Sequence, residues 1–249
     1  MKIGLLILFI LSCSSLACSQ DNNTVNPDRP SFSTSAHIVP PGRIQVEAGA
    51  SQQRFGDTSG FDAGELRVRY GLFSRVEFRA ELPNYVETET NGVRLSGWDD
   101  TTIGTKILLK SGDKGAASLM VNAILPTGST SIAERAFQPG ATLISDVNLA
   151  KKFVVTTNVG YFRMSSGGEP YNLTFAVSTL NYALAKSVNI YSEFYIKNVL
   201  HGARLRYAAT GGEWIMKKRT AFDWSVGFGL DNHAHGPDRY FGIGISRLF

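Results

Sequence analysis

The chain has 249 residues, with 25 lysines and arginines against 21 aspartates and glutamates and a formal charge of +4. That mild, scattered balance excludes a nucleic-acid-binding surface. Mean hydropathy is near zero, and beyond the first residues no apolar run is long enough to cross a membrane as a helix.

Residues 1–19 carry one charge, Lys2, then an apolar run over 3–11, then small residues. This is the pattern of a secretory signal peptide, with cleavage expected before Gln20. A lipoprotein site at Cys18 is disfavoured, because Ser15-Leu16-Ala17 lacks the aliphatic residue usual three places ahead. Both cysteines, Cys13 and Cys18, lie in this leader. The mature chain then has neither a disulfide scaffold nor a Cys-based zinc site. Removing Lys2 leaves 24 basic against 21 acidic residues, a net charge of +3. Residues 20–42 are polar, punctuated by Pro27, Pro30, Pro40 and Pro41, and have no period. They read as an irregular segment, periplasmic or lumenal, ahead of a domain over 43–249.

From Arg43 onward the chain alternates with period two. The stretch Glu65–Leu82 shows it best: Leu66, Val68 and Tyr70 alternate with Glu65, Arg67 and Arg69, and Val76, Phe78 and Ala80 alternate with Glu77, Arg79 and Glu81. Successive strand residues face opposite ways, so each strand has one apolar and one charged face. Twelve strands are expected, near 43–53, 64–70, 75–82, 99–110, 116–125, 140–150, 153–163, 173–184, 188–198, 203–216, 221–230 and 239–249. The face of 173–184 is ambiguous. Short connections alternate with longer ones (54–63, 83–98, 126–139, 164–172, 199–202, 231–238), and only 199–202 is short for its class. That asymmetry predicts an all-β, closed antiparallel transmembrane barrel in the cell outer membrane, with both termini periplasmic. The expected lipid-facing wall includes Leu66, Val68, Phe78, Ile190, Phe194, Trp224, Val226, Phe228, Ile243 and Ile245. Phe241, Ile243, Ile245 and Phe249 close the chain on one face. An ending of this kind resembles the signal read by the barrel assembly machinery, with Arg247 departing from the pattern.

In the opening hairpin, a centre at Leu72 sets Arg67 opposite Glu77 and Glu65 opposite Arg79. A centre at Phe73 would oppose like charges, so the Leu72 register is expected, with Gly71 free to take a positive φ.

Several stretches resemble the bacterial family labelled MetA-pathway of phenol degradation, or transporter family. They are Asp28-Arg29-Pro30-Ser31-Phe32-Ser33, Ile38-Val39-Pro40-Pro41-Gly42-Arg43 running to Gly49, Leu66–Leu72 with Arg75–Arg79, and Phe241–Ser246. The resemblance implies an outer-membrane barrel that passes small molecules, aromatic or other hydrophobic compounds among them.

Alternation nominates as lumen-facing Arg67, Arg69, Glu77, Arg79, Glu81, Lys106, Glu193, Lys197, Arg204, Arg206 and Asp223. Such a lining filters solutes by size and charge, and the same residues could equally form an ion-paired filling. His233-Ala234-His235 has no ligand spacing of a known type, so no metal is expected there and no cofactor elsewhere. Two other functions stay open, a lipid hydrolase and a purely structural barrel. The first lacks its signals, since 233–236 does not match the His-x-Ser-Asn-Gly of a barrel phospholipase and no Gly-x-Ser-x-Gly elbow exists. No enzyme is expected. The partners expected are outer-membrane lipid and a solute that the sequence does not name.

Overall fold

The computed structural model describes residues 23–198, 204–231 and 237–249. The expected leader with both cysteines, and His201, His233 and His235, lie outside these. The strands are β1 (Ile44–Phe55), β2 (Thr58–Phe73), β3 (Val76–Glu81), β4 (Tyr85–Thr90), β5 (Val93–Trp98), β6 (Thr101–Gly112), β7 (Gly115–Leu125), β8 (Gln138–Ala150), β9 (Phe153–Ser166), β10 (Glu169–Ala185), β11 (Val188–Asn198), β12 (Arg204–Lys217), β13 (Thr220–Gly229) and β14 (Arg239–Leu248). All pair antiparallel. β1 pairs with both β2 and β14, so the sheet closes on itself. Closure gives every strand a partner on both edges except β5, which pairs with β4 alone, and so satisfies backbone groups that hydrocarbon could not.

The fourteen segments form twelve staves. β2 pairs along its lower part with β3 and along its upper part with β4. β3 pairs with β6 and β4 with β5. Thus β3 and β4 share one stave, and β5 and β6 share the next. Gly64 (φ 103°) and Glu65 (φ 36°) bend β2 where its partner changes from β3 to β4.

The expected loop 83–98 is therefore a hairpin, turned at Asn91-Gly92 with both residues at positive φ. The expected loops 54–63 and 164–172 are likewise strand, apart from tight turns at Gly56-Asp57 and Gly167-Gly168. These extensions lie at the end away from the chain termini. There the sequence alternates poorly (Thr58, Asp62, Glu87 and Glu89 among hydrophobics), because beyond a hydrocarbon band both strand faces meet water. At the other end Phe249 N–H donates to Ile44 O at 2.8 Å, so the first and last strands finish together.

The wall faces as expected. Phe228, Ile243 and Phe241 are each about half exposed (52%, 53% and 52%), and Phe78, Ile190, Phe194, Trp224 and Ile245 are exposed beside them. Arg69, Glu77, Lys106 and Glu47 on the opposite face are fully buried. An outward band of aliphatics and aromatics over a charged interior is a surface made for hydrocarbon.

The opening hairpin adopts neither register considered above. Arg67 opposes Glu81, Arg69 opposes Arg79 and Gly71 opposes Glu77, with a bulge that absorbs Leu72. Two arginines thus face each other across the ladder. Charge pairing between neighbouring strands does not select this register, because the neutralising acid comes from elsewhere in the chain. Gly71 also has a different purpose from the one expected: a Cβ there would collide with the carbonyl of Pro40, which crosses close above it.

Ile243 sits in the middle of β14, with Trp224 opposite on β13. Ile243→Arg should destabilise the barrel by about 2–4 kcal/mol, read as a lowered urea midpoint for the protein folded in lipid vesicles.

Candidate functional site

The site is the interior of the barrel, and its central component is the segment 23–41. This stretch has no regular structure, so its backbone donors need partners, and barrel carboxylates supply many of them. Glu47 accepts from Asp28 N and Arg29 N at 3.2 Å. Glu193 accepts from Phe32 N at 3.1 Å and Ser33 N at 3.0 Å. Asp146 accepts from Ala36 N and Ser35 Oγ, and Glu77 from Val39 N at 2.8 Å. Asn158 meets Thr34 on both sides, accepting from its N–H and donating to its carbonyl. The segment thus touches β1, β3, β8, β9 and β11 as it crosses the lumen.

Its charged pair, Asp28-Arg29, docks on opposite chemistry. The carboxylate of Asp28 lies 3.0 Å from Arg79, 3.3 Å from Lys106 and 3.5 Å from Arg69. Arg69 also reaches Glu47 and Glu77 at 2.9 Å each. Three cations (Arg69, Arg79, Lys106) thus gather around three acids (Asp28, Glu47, Glu77). Arg67 and Glu81 extend the set through Glu47 and Arg79, and Asp28 comes between the opposed Arg69 and Arg79 from the crossing segment. Arg29 pairs with Glu65 and lies 3.5 Å from Asp223, and it donates to the Ile243 carbonyl at 3.1 Å. Its guanidinium rests on Gly49 and Gly244, which oppose each other directly across β1 and β14. A Cβ at Gly49 would collide with it.

The opposite wall is aromatic. Phe175, Val177, Tyr195, Leu205 and Tyr207 pack as one inward cluster. Tyr195 and Tyr207 stack at 4.5 Å, and Phe32 of the crossing segment lies 4.3 Å from Tyr195 and 5.4 Å from Tyr240. Four inward rings lie flat over a glycine on the neighbouring strand: Phe162 on Gly140, Phe175 on Gly160, Tyr191 on Gly211 and Tyr240 on Gly227. An absent side chain at each glycine lets the ring line the wall instead of filling the lumen.

Two chambers of about 290 Å³ remain, one on each side of the crossing segment. Arg29, Pro30 and Ser31 border both. The chamber towards the termini is lined by amides, hydroxyls, Lys151 and Lys152. The other is lined by Phe32, Tyr195, Tyr240, Lys197, Arg67 and polar groups.

Of the residues nominated from sequence, Arg69, Glu77, Arg79, Lys106, Glu193 and Asp223 are buried inside. Arg67 and Glu81 pair with each other at 2.9 Å beside Glu47, and Lys197 lines a chamber. Arg204 and Arg206 do not face the lumen. They are exposed on the outer surface, where Arg206 pairs with Asp231 and Arg204 donates to Asn198. Leu205, Tyr207 and Ala209 take the inward positions of β12. Charge alone misled here: turning Arg206 inward would turn Trp214 and Met216 inward too and place Glu213 in lipid. Both arginines lie at the start of β12, at the polar rim, where a guanidinium reaches water. Asp28, Glu47, Asp146 and Asn158 were missed, although the alternation of Gln45 and Glu47 with Ile44, Val46 and Ala48 carries the signal for Glu47.

Over residues 27–249 the sequence matches the family described as "Putative MetA-pathway of phenol degradation". No curated protein sequence matches the chain. Among solved structures, an outer membrane channel from Pseudomonas putida F1 is similar with a TM-score of 0.73 at 13% identity, covering 90% of this chain and 100% of that one. The NanC porin is similar at 0.56 and 11% identity, covering 82% and 98%. The KdgM porin in complex with disordered oligogalacturonate is similar at 0.56 and 10%, covering 83% and 99%. At these identities the likeness is one of fold. The chain belongs to the "Putative MetA-pathway of phenol degradation" family, and it is built as an outer-membrane β-barrel of twelve staves.

Proposed function

We propose that this protein is a passive outer-membrane channel for small molecules, aromatic and other hydrophobic compounds among them, and that it carries out no covalent chemistry. The observation that carries this is a pair of interior chambers of equal size that both border the crossing segment and share Arg29, Pro30 and Ser31. A solute passing through would move from one to the other along Arg29, Pro30 and Ser31. Chambers of this size admit a single-ring compound or a small sugar and not an oligomer. The similar structure from Pseudomonas putida F1 is an outer membrane channel, which supports the reading. The end with Ile44, Phe249 and the basic two-residue turns (Lys151-Lys152, Lys218-Arg219) would face the periplasm.

In this reading the crossing segment sets the size limit and is a fixed part of the pore. Six of its backbone N–H groups and the Ser35 hydroxyl donate to carboxylates. At about 1.5–3 kcal/mol for each charged bond, releasing the segment costs on the order of 10 kcal/mol, far above thermal energy. Removal of residues 23–36 should therefore raise single-channel conductance in planar bilayers several-fold, with heat-modifiable gel mobility reporting that the barrel still assembles. An assembled deletion barrel with unchanged conductance would count against the segment as the constriction.

Asp28→Asn removes one acid from a balanced set and leaves Arg69, Arg79 and Lys106 facing two. The lumen should become more anion-selective, seen as a shift of the reversal potential under a salt gradient. Stability should fall by about 3–5 kcal/mol, the cost of leaving a buried charge without its partner.

A further inference from the structure

The chamber away from the termini has two groups that nothing in the barrel satisfies. Phe32 is 48% exposed, although its ring neighbours Tyr195 and Tyr240 are buried, so a phenyl face is presented to an interior space. Lys197 lines the same space. Its ammonium rests 5.9 Å over the Tyr207 ring, and among the described residues no carboxylate lies within ion-pairing distance of it. The two arginines of this chamber and Glu65 are matched. Arg29 pairs with Glu65 and Asp223, and Arg67 pairs with Glu81 and Glu47. Asp62 is held by Gln53 at 2.6 Å and by Ser51. What remains is one uncovered aromatic face, one cation without a counter-charge and, on β2, the Asp62 carboxylate, which is hydrogen-bonded but has no cation.

We propose that this chamber is a binding station for a single-ring aromatic carboxylate, its ring against Phe32 and Tyr240 and its carboxylate on the ammonium of Lys197. The volume of about 290 Å³ lies at the lower end of small-molecule sites, which suits one ring with a short acidic substituent. The aromatic neighbours make ring-on-ring contact available, and a carboxylate supplies the counter-charge that Lys197 lacks. A neutral phenol would use the ring contact alone. A benzylammonium cation would meet Lys197 with like charge. The proposal deepens the channel reading and rests on it for its purpose, since a station at one side of the constriction collects solute before passage.

Isothermal titration of the folded, detergent-solubilised protein with sodium benzoate tests it, with acetate and benzylammonium as comparison probes. Benzoate should bind at least ten-fold more tightly than either. Lys197→Gln should weaken benzoate at least ten-fold, Phe32→Ala several-fold, and Lys197→Arg should retain most of the affinity. Heat-modifiable mobility certifies that each variant has folded. Benzoate binding no tighter than acetate, or unchanged in a folded Lys197→Gln barrel, would overturn the proposal. Planar-bilayer conductance separates the two readings: a barrel that binds benzoate yet passes no current defeats the channel and leaves the station standing. A conducting barrel indifferent to benzoate defeats the station alone.

Discussion

The structure depends on six charges that have been taken out of water together. Arg69, Arg79 and Lys106 project from neighbouring staves into one small volume, where those staves themselves bring only Glu77 and, at the edge, Glu81 within reach. Each is fully buried or nearly so, where an unmatched charge costs several kcal/mol. Asp28 resolves this by arriving from a segment with no secondary structure, and Glu47 and Glu77 complete the balance. The register of the first hairpin, the route of the N-terminal segment and the division of the lumen into two chambers all follow from that requirement.

A second constraint is volume. A twelve-stave interior that carries so many large rings would fill with them if they stood upright. The glycines opposite Phe162, Phe175, Tyr191 and Tyr240 let the rings lie along the wall, so that one side of the lumen is papered with aromatics while space remains. The result is an interior with two unlike sides, charged along β1, β2, β3 and β6 and aromatic along β10, β11, β12 and β14. A solute passing between them meets polar groups on one flank and rings on the other.

How much of this could be read from the chain depended on where each residue sits relative to hydrocarbon. Across the middle of each stave lipid enforces strict alternation, and so Phe78, Trp224 and Ile243 were legible as wall and Arg69 and Glu77 as interior. Above that band both faces are wet, the alternation lapses, and the extended strands over 54–63 and 83–98 read as loops. Arg204 and Arg206 failed for a related reason, since a charge at the rim needs no lumen to shelter it. The crossing segment was legible only as irregular. Its partners are remote in sequence, as with Phe32 and Glu193, and it follows no period that could announce them. The hairpin register failed because pairwise charge logic between two strands omitted a third participant, Asp28.

The position of Arg29 bears on how such a barrel holds together. Gly49 and Gly244, on which its guanidinium rests, are directly opposed across the junction of the first and last strands. Arg29 spans it, gripping the carbonyl of Ile243 from inside, while its neighbour Asp28 is tied to strands near the beginning of the barrel. The N-terminal segment thus acts as a clasp across the seam from within. Constriction and seam share a single residue, so the group that narrows the lumen also braces the wall where its two ends meet.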